Sequence, residues 1–160
     1  MSEISLADRI RRIFFHQQPH VSCEMATTLL GWTSREMTDA IRSGEIDLQQ
    51  TPFGTWIWRD ELMAKALELW PQEVIEEALG KGAERVLPAF VRLAHFRARI
   101  PEYQRAMLEY LAERDGLTVS DVLTRELDGI ASSYFEELTE RIPEFAEALL
   151  WPELRNAPVC

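Results

Sequence analysis

Apolar positions along this chain recur mainly at helical spacing, with two stretches where they alternate instead. Leu6, Ile10, Ile13 and Phe14 share one face behind Ser5, and Ser5 with Asp8 three residues on reads as a helix start. That helix should run to Gln17, before Pro19. Met25, Ala26, Leu29 and Leu30 predict the buried side of a second helix starting at Ser22 and stopped by Gly31, its capping box incomplete because Met25 stands at the third position. A third helix, capped by Thr33 or Ser34 and ended by Gly44, packs through Met37, Ala40 and Ile41. A fourth opens at Asp60 with Leu62, Met63, Ala66, Leu67 and Trp70, breaks at Pro71, and is followed by a short helix over residues 73–79. Two more helices, over residues 102–114 and 120–130, flank Asp115 and Gly116. The helical pattern resumes through Phe135, Leu138 and Ile142, and a last segment over residues 143–151 precedes an irregular, proline-containing tail.

The first alternating stretch is a hairpin signal: residues 46–50 and 55–58 flank Thr51, Pro52, Phe53 and Gly54, with proline and glycine at the turn. The second runs from Ala94 to Ile100 and stops at Pro101. In a strand, Phe96, Ala98 and Ile100 face one side while His95, Arg97 and Arg99 face the other. No acidic residue falls between Glu84 and Glu102. A strand with one apolar and one cationic face cannot bury the first alone, so two chains should pair antiparallel over helices carrying Met107, Leu108, Leu111, Val122, Leu123 and Leu127.

Composition sharpens this picture. The chain has 160 residues and a formal charge of −10, which argues against non-specific binding to nucleic acid or anionic membrane but leaves room for a local basic site. Its apolar content, 46%, is that of a globular protein, and no apolar run approaches the ~18 residues that span a bilayer. The N-terminus lacks the apolar region of a secretory signal, and two cysteines, Cys23 and Cys160, build no disulfide framework, so a cytoplasmic location is expected. The fold class expected is mainly α with short β elements. The pair Gly80 and Gly82 suggests a boundary between one domain over residues 1–80 and another over 81–160.

The C-terminal pattern of strand, Pro101, helix, Gly116 and capped helix, over residues 93–130, resembles the ribbon-helix-helix family (MetJ/Arc type) of DNA-binding proteins. The residues carrying the likeness run from His95 through Pro101, from Leu111 through Gly116, and from Leu117 through Asp121 to Leu123 and Leu127. The resemblance implies a homodimer through residues 93–130 whose ribbon enters the major groove of double-stranded DNA. Arg97 and Arg99 would then reach guanine O6 and N7, with His95 a weaker reader. It also places Thr118, Val119 and Ser120 against the DNA backbone. Thr118, with Asp121 completing a capping box, leaves free N–H groups at the positive end of a helix, where phosphate binds well. Leu117 stands where relatives often carry a polar or basic residue, which weakens that grip.

Ala26, Leu29, Leu30, Gly31, Arg42, Ser43, Gly44, Glu45, Trp56 and Leu62 make residues 20–62 similar to a winged helix-turn-helix of the MerR/excisionase type. That likeness implies a helix entering the major groove with Arg35, Thr38 and Arg42 as readers. Between Val21 and Leu62, however, three basic residues face seven acidic ones, a poor electrostatic footprint, so this module equally fits dimerisation or partner binding.

Other chemistry has less to rest on. His16, His20 and Cys23 match no zinc spacing, and no second ligand pair follows. Glu136, Glu137, Glu140, Glu144 and Glu147 read as a solvated acidic face. Trp151 and Pro152, with Phe145, Leu149 and Leu150, are either a docking patch or ordinary packing. With no phosphate loop, nucleophile elbow or Cys/His dyad, no enzyme, metal or cofactor is expected. The expectation is a sequence-specific DNA-binding transcriptional regulator, by resemblance also an autoregulating antitoxin, with residues 131–160 open to a protein partner. The alternatives are an interaction module that keeps both folds without DNA binding, and an excisionase-like architectural factor.

Overall fold

The computed structural model describes residues 4–152, which are mainly helical with one small antiparallel sheet. They divide into two compact units: the described residues of Met1–Leu93 together with those of Glu147–Cys160, and Ala94–Ala146. The division falls after Leu93 rather than at the glycine pair. Gly80–Gly82 is a single 3-10 turn within the N-terminal unit, and Ala83 and Leu87 beyond it belong to the same buried cluster as Ile10 and Leu62. Gly82 is there for close packing, since a Cβ on it would lie 2.4 Å from Cζ of Phe15.

Helix α1, Leu6–Phe14, starts on Ser5, whose hydroxyl accepts the Asp8 N–H at 3.2 Å, and buries Ile10, Ile13 and Phe14. It ends three residues before the expected Gln17, because the chain leaves at Phe15 to lay that ring on Gly82. Strand β1, His20–Ser22, leads straight into α2, Cys23–Leu30, capped by the Ser22 side chain. Met25, expected in the core, is exposed: Ala26, Leu29 and Leu30 are the buried residues of α2, with Cys23 packed beside them. Gly31 adopts the left-handed conformation (φ 73°) that closes α2, and two residues later Thr33 and Glu36 form a complete capping box for α3, Ser34–Ser43.

The hairpin follows as β2, Gln49–Thr51, and β3, Gly54–Trp58. It starts later than residue 46 because the N–H groups of Glu45 and Ile46 are spent on the Ala40 carbonyl, closing α3, and Ile46 is buried as an anchor. Thr51 ties the turn: its hydroxyl donates to the Gly54 carbonyl at 3.1 Å and accepts from the Phe53 N–H and the Trp56 indole. Strand β3 lies centrally, with β1 on one side (Val21 opposite Ile57) and β2 on the other (Gln50 opposite Thr55). Helices α4, Arg59–Leu69, α5, Gln72–Leu79, and α6, Ala83–Val86, complete the N-terminal unit. Trp151 packs on its core.

The C-terminal unit is a helical hairpin, α7, Glu102–Asp115, and α8, Val119–Ser133, joined through left-handed Gly116 (φ 66°). Helix α9, Phe135–Arg141, follows, and α10, Phe145–Leu150, spans the division between units. Only Leu108, Ala112 and Val122 are buried among its described residues, with Leu111 packed beside them.

Candidate nucleic-acid interface

Residues 94–100 form no strand in the single chain. A strand is defined by its ladder, and this chain supplies no second strand in the C-terminal unit. The alternation is nevertheless expressed in space. Phe96, Ala98 and Ile100 line a groove of about 490 Å³ together with Met107, Leu108 and Leu123 of the helical hairpin. His95, Arg97 and Arg99 lie outside that groove, exposed, and make no ion pair or hydrogen bond among the described residues.

The apolar half is not covered. Phe96 is 87% exposed and Leu127 59%, and Ile100, Met107 and Leu123 are exposed too. The burial expected under a paired ribbon is therefore absent from one chain, with only Leu108 and Val122 enclosed and Leu111 partly so. The reason is geometric: two helices and one peptide segment enclose a line of side chains, not a volume.

The hairpin beneath is held at its turn by charge. Asp115 accepts from Arg114 at 2.6 Å and from Arg125 of α8 at 2.8 Å, and these two guanidinium groups hold its carboxyl well below the usual carboxylate range. Sequence pattern alone did not reveal this junction, because Arg125 lies ten residues away on another helix. Arg105 of α7, which lines the same groove, pairs with Glu102 and with Glu109, the latter at 2.9 Å.

Thr118 caps α8 as expected. Its hydroxyl accepts the Asp121 N–H at 3.1 Å, and the Asp121 carboxylate accepts the Thr118 N–H at 3.0 Å. The capping box thus consumes the Thr118 donors. Among the described residues no acceptor faces the N–H groups of Val119 and Ser120, which are left at the positive end of a four-turn helix.

Arg35, Thr38 and Arg42 are exposed along α3, but each is engaged. Arg35 and Arg42 both face Asp39, at 3.9 and 3.5 Å, and the Thr38 hydroxyl donates to the Ser34 carbonyl at 2.8 Å. Glu36 is committed to the cap, and hydrogen bonds from the Thr33 backbone and hydroxyl hold its carboxyl below the ordinary value. Both arginines of α3 thus lie beside a single carboxylate of the same helix, in exposed pairs of the weak kind.

His20 packs against the rings of Trp56 and Trp58, at 5.8 and 5.2 Å between centroids, and Cys23 is partly buried at the start of α2. Among the described residues no three or more His, Cys, Asp or Glu side chains come together to hold a metal ion, and no helix is long and apolar enough to cross a membrane. Compared with family models, curated proteins and solved structures, the chain matches none.

Proposed function

We propose that the protein is a sequence-specific DNA-binding regulator that acts as a homodimer through residues 93–130. The observation that carries the reading is the split of residues 94–100, apolar side chains over a groove on α7 and α8 and cationic ones turned away from it. In this reading the unit is a ribbon-helix-helix half. A second chain donates the missing strand, covers Phe96, Ile100, Met107, Leu123 and Leu127, and produces a two-stranded ribbon of the width that the major groove accepts. Arg97 and Arg99 then read guanines, each bidentate contact worth about 1–3 kcal/mol of discrimination, with His95 at the ribbon end. The Val119 and Ser120 amides of α8, set by the Thr118 cap, clamp a phosphate.

The N-terminal unit in this reading is a winged helix-turn-helix, with α2 and α3 as the helix pair and β2 and β3 as the wing. A charge of −10 suppresses sequence-independent binding, so recognition depends on the ribbon contacts. One observation favours a second reading for this unit, an assembly module without DNA contact: Asp39 pairs both arginines of α3.

The test is selection of bound sites from random DNA with the wild-type protein and with Arg97→Ala/Arg99→Ala. The expected result is an inverted-repeat motif that the double variant loses while its circular dichroism is unchanged. Wild-type protein that enriches nothing at low salt overturns the DNA reading. A monomer at micromolar concentration by sedimentation overturns the ribbon independently.

A further inference from the structure

The small sheet of the N-terminal unit has one face on the core, through Val21 and Ile57, and another whose side chains lie outside that core. Period-two alternation puts His20, Trp56 and Trp58 on that second face, where their rings contact one another, and Phe53 projects from the turn at 90% exposure. None of these four aromatic side chains belongs to the buried core.

Beside this band a cleft of about 380 Å³ is walled by Trp58, Glu45, Asp47, Glu61, Lys65 and Glu68. Lys65, 6% exposed, is already tied to Glu45 at 2.7 Å and to Glu68. Burial disfavours its ammonium, but those two carboxylates together outweigh burial and hold its pKa above the ordinary value. Asp47 and Glu61 have no ion-pair partner among the described residues. The Asp47 N–H fixes the Glu61 carboxylate at 2.6 Å, and burial pushes the Glu61 carboxyl up. Four carboxylates against one ammonium, with an indole as a wall, favour a cation that is flat enough to stack. Among the described residues the outer edge of β2 has no strand partner, so an extended chain can lie along it and send a side chain into the cleft that Gln49 and Trp58 share.

We propose that this sheet face docks an arginine-bearing segment of a partner protein, laid along the β2 edge with a guanidinium stacked on Trp58 between Asp47 and Glu61. The occupant is a basic peptide rather than nucleic acid, because the cleft's carboxylates repel phosphate. The surface lies wholly in the N-terminal unit and does not depend on the ribbon reading.

The experiment measures fluorescence anisotropy of a labelled Arg-Gly repeat peptide with the full chain at about physiological ionic strength, where long-range attraction to the acidic protein is screened beyond about 8 Å. Saturable binding is expected, stronger than for Lys-Gly and absent for Glu-Gly repeats. Trp58→Ala and Glu61→Gln should each weaken it about tenfold, the effect of losing a 1.4 kcal/mol contact. Trp58→Tyr should stay within a few-fold of wild type, and Glu136→Gln on α9 should change nothing, with folding checked by circular dichroism. Binding indifferent to Trp58→Ala and Glu61→Gln would reflect net charge alone and overturn the proposal. Complete displacement of the peptide by tetramethylammonium at matched concentration would make the cleft a small-cation site, which also overturns it.

Discussion

The two units bury apolar surface to very different degrees. Among the described residues the N-terminal unit closes over nineteen buried apolar side chains, contributed by six helices, two strands and the connecting residues Ile46 and Leu87, whereas the C-terminal unit encloses three. Yet the C-terminal unit is well formed locally, with a proline before its first helix, a left-handed glycine between helices and a complete capping box. Local order and a core are separate achievements. Capping and turn chemistry act within a few residues, while a core needs elements on several sides of one volume. Under the proposed ribbon pairing, a second chain would supply the surface that the C-terminal unit lacks.

The largest effect is expected at Phe96, which is 87% exposed in one chain. A ribbon dimer buries it, so wild-type melting should depend strongly on protein concentration and Phe96→Ala should cost about 3–5 kcal/mol of that dimer's stability. If the unit works alone, the same change falls within about 0.5 kcal/mol, as surface substitutions do. Thermal melts over a hundredfold protein concentration range separate the two.

Next comes Leu62, fully buried in the N-terminal core. Leu62→Ala should cost about 2–5 kcal/mol. Unlike Phe96→Ala, it should do so independently of protein concentration, in urea unfolding followed by fluorescence. A concentration-dependent loss would mean that this core, too, is shared between chains.

Thr118→Ala removes the cap of α8 and should cost about 0.5–2 kcal/mol. Because it also loosens the Val119 and Ser120 amides, DNA affinity should fall without a change in the selected motif. A changed motif would contradict the phosphate role.

The smallest effect concerns Asp115. Its folded pKa lies below the ordinary 3.8, so the stability it contributes is present above that value and is lost as pH falls through and below it. The melting temperatures of wild type and Asp115→Asn should therefore differ at neutral pH and converge as the medium is acidified below about pH 4, where the unfolded carboxyl is protonated. A difference that persists unchanged in acid would show that the Arg114 and Arg125 pairs do not act through the Asp115 charge.

Most helices were legible in the sequence because their signals are local. Ser5, Thr33 and Thr118 cap where expected, and Gly31, Gly44 and Gly116 close helices in the left-handed conformation. Strand β1 escaped notice, since three residues carry no periodicity and their partner is β3, more than thirty residues on. Met25 read as core because spacing does not say which neighbour will cover a face. Gly80 and Gly82 read as a domain boundary, although they lie within the N-terminal unit, where the Phe15 ring packs against Gly82. For the candidate site, the alternation from Ala94 to Ile100 and the Thr118 cap were visible. The pairing of Arg35 and Arg42 with Asp39 follows from helical spacing alone, whereas the cleft beside Trp58 needed β2 and α4 brought together.

By itself, then, the sequence determined where helices begin and end, where the hairpin turns, and that one short stretch separates cationic from apolar side chains. These depend on dihedral preference, capping and side-chain direction, which act over a turn or a pleat. The tertiary structure was needed to show that Arg125 reaches Asp115, where the two units divide, and that Phe96 and its neighbours lie over a groove one chain does not close. Those outcomes depend on distances between residues far apart in the chain, which local preference does not encode.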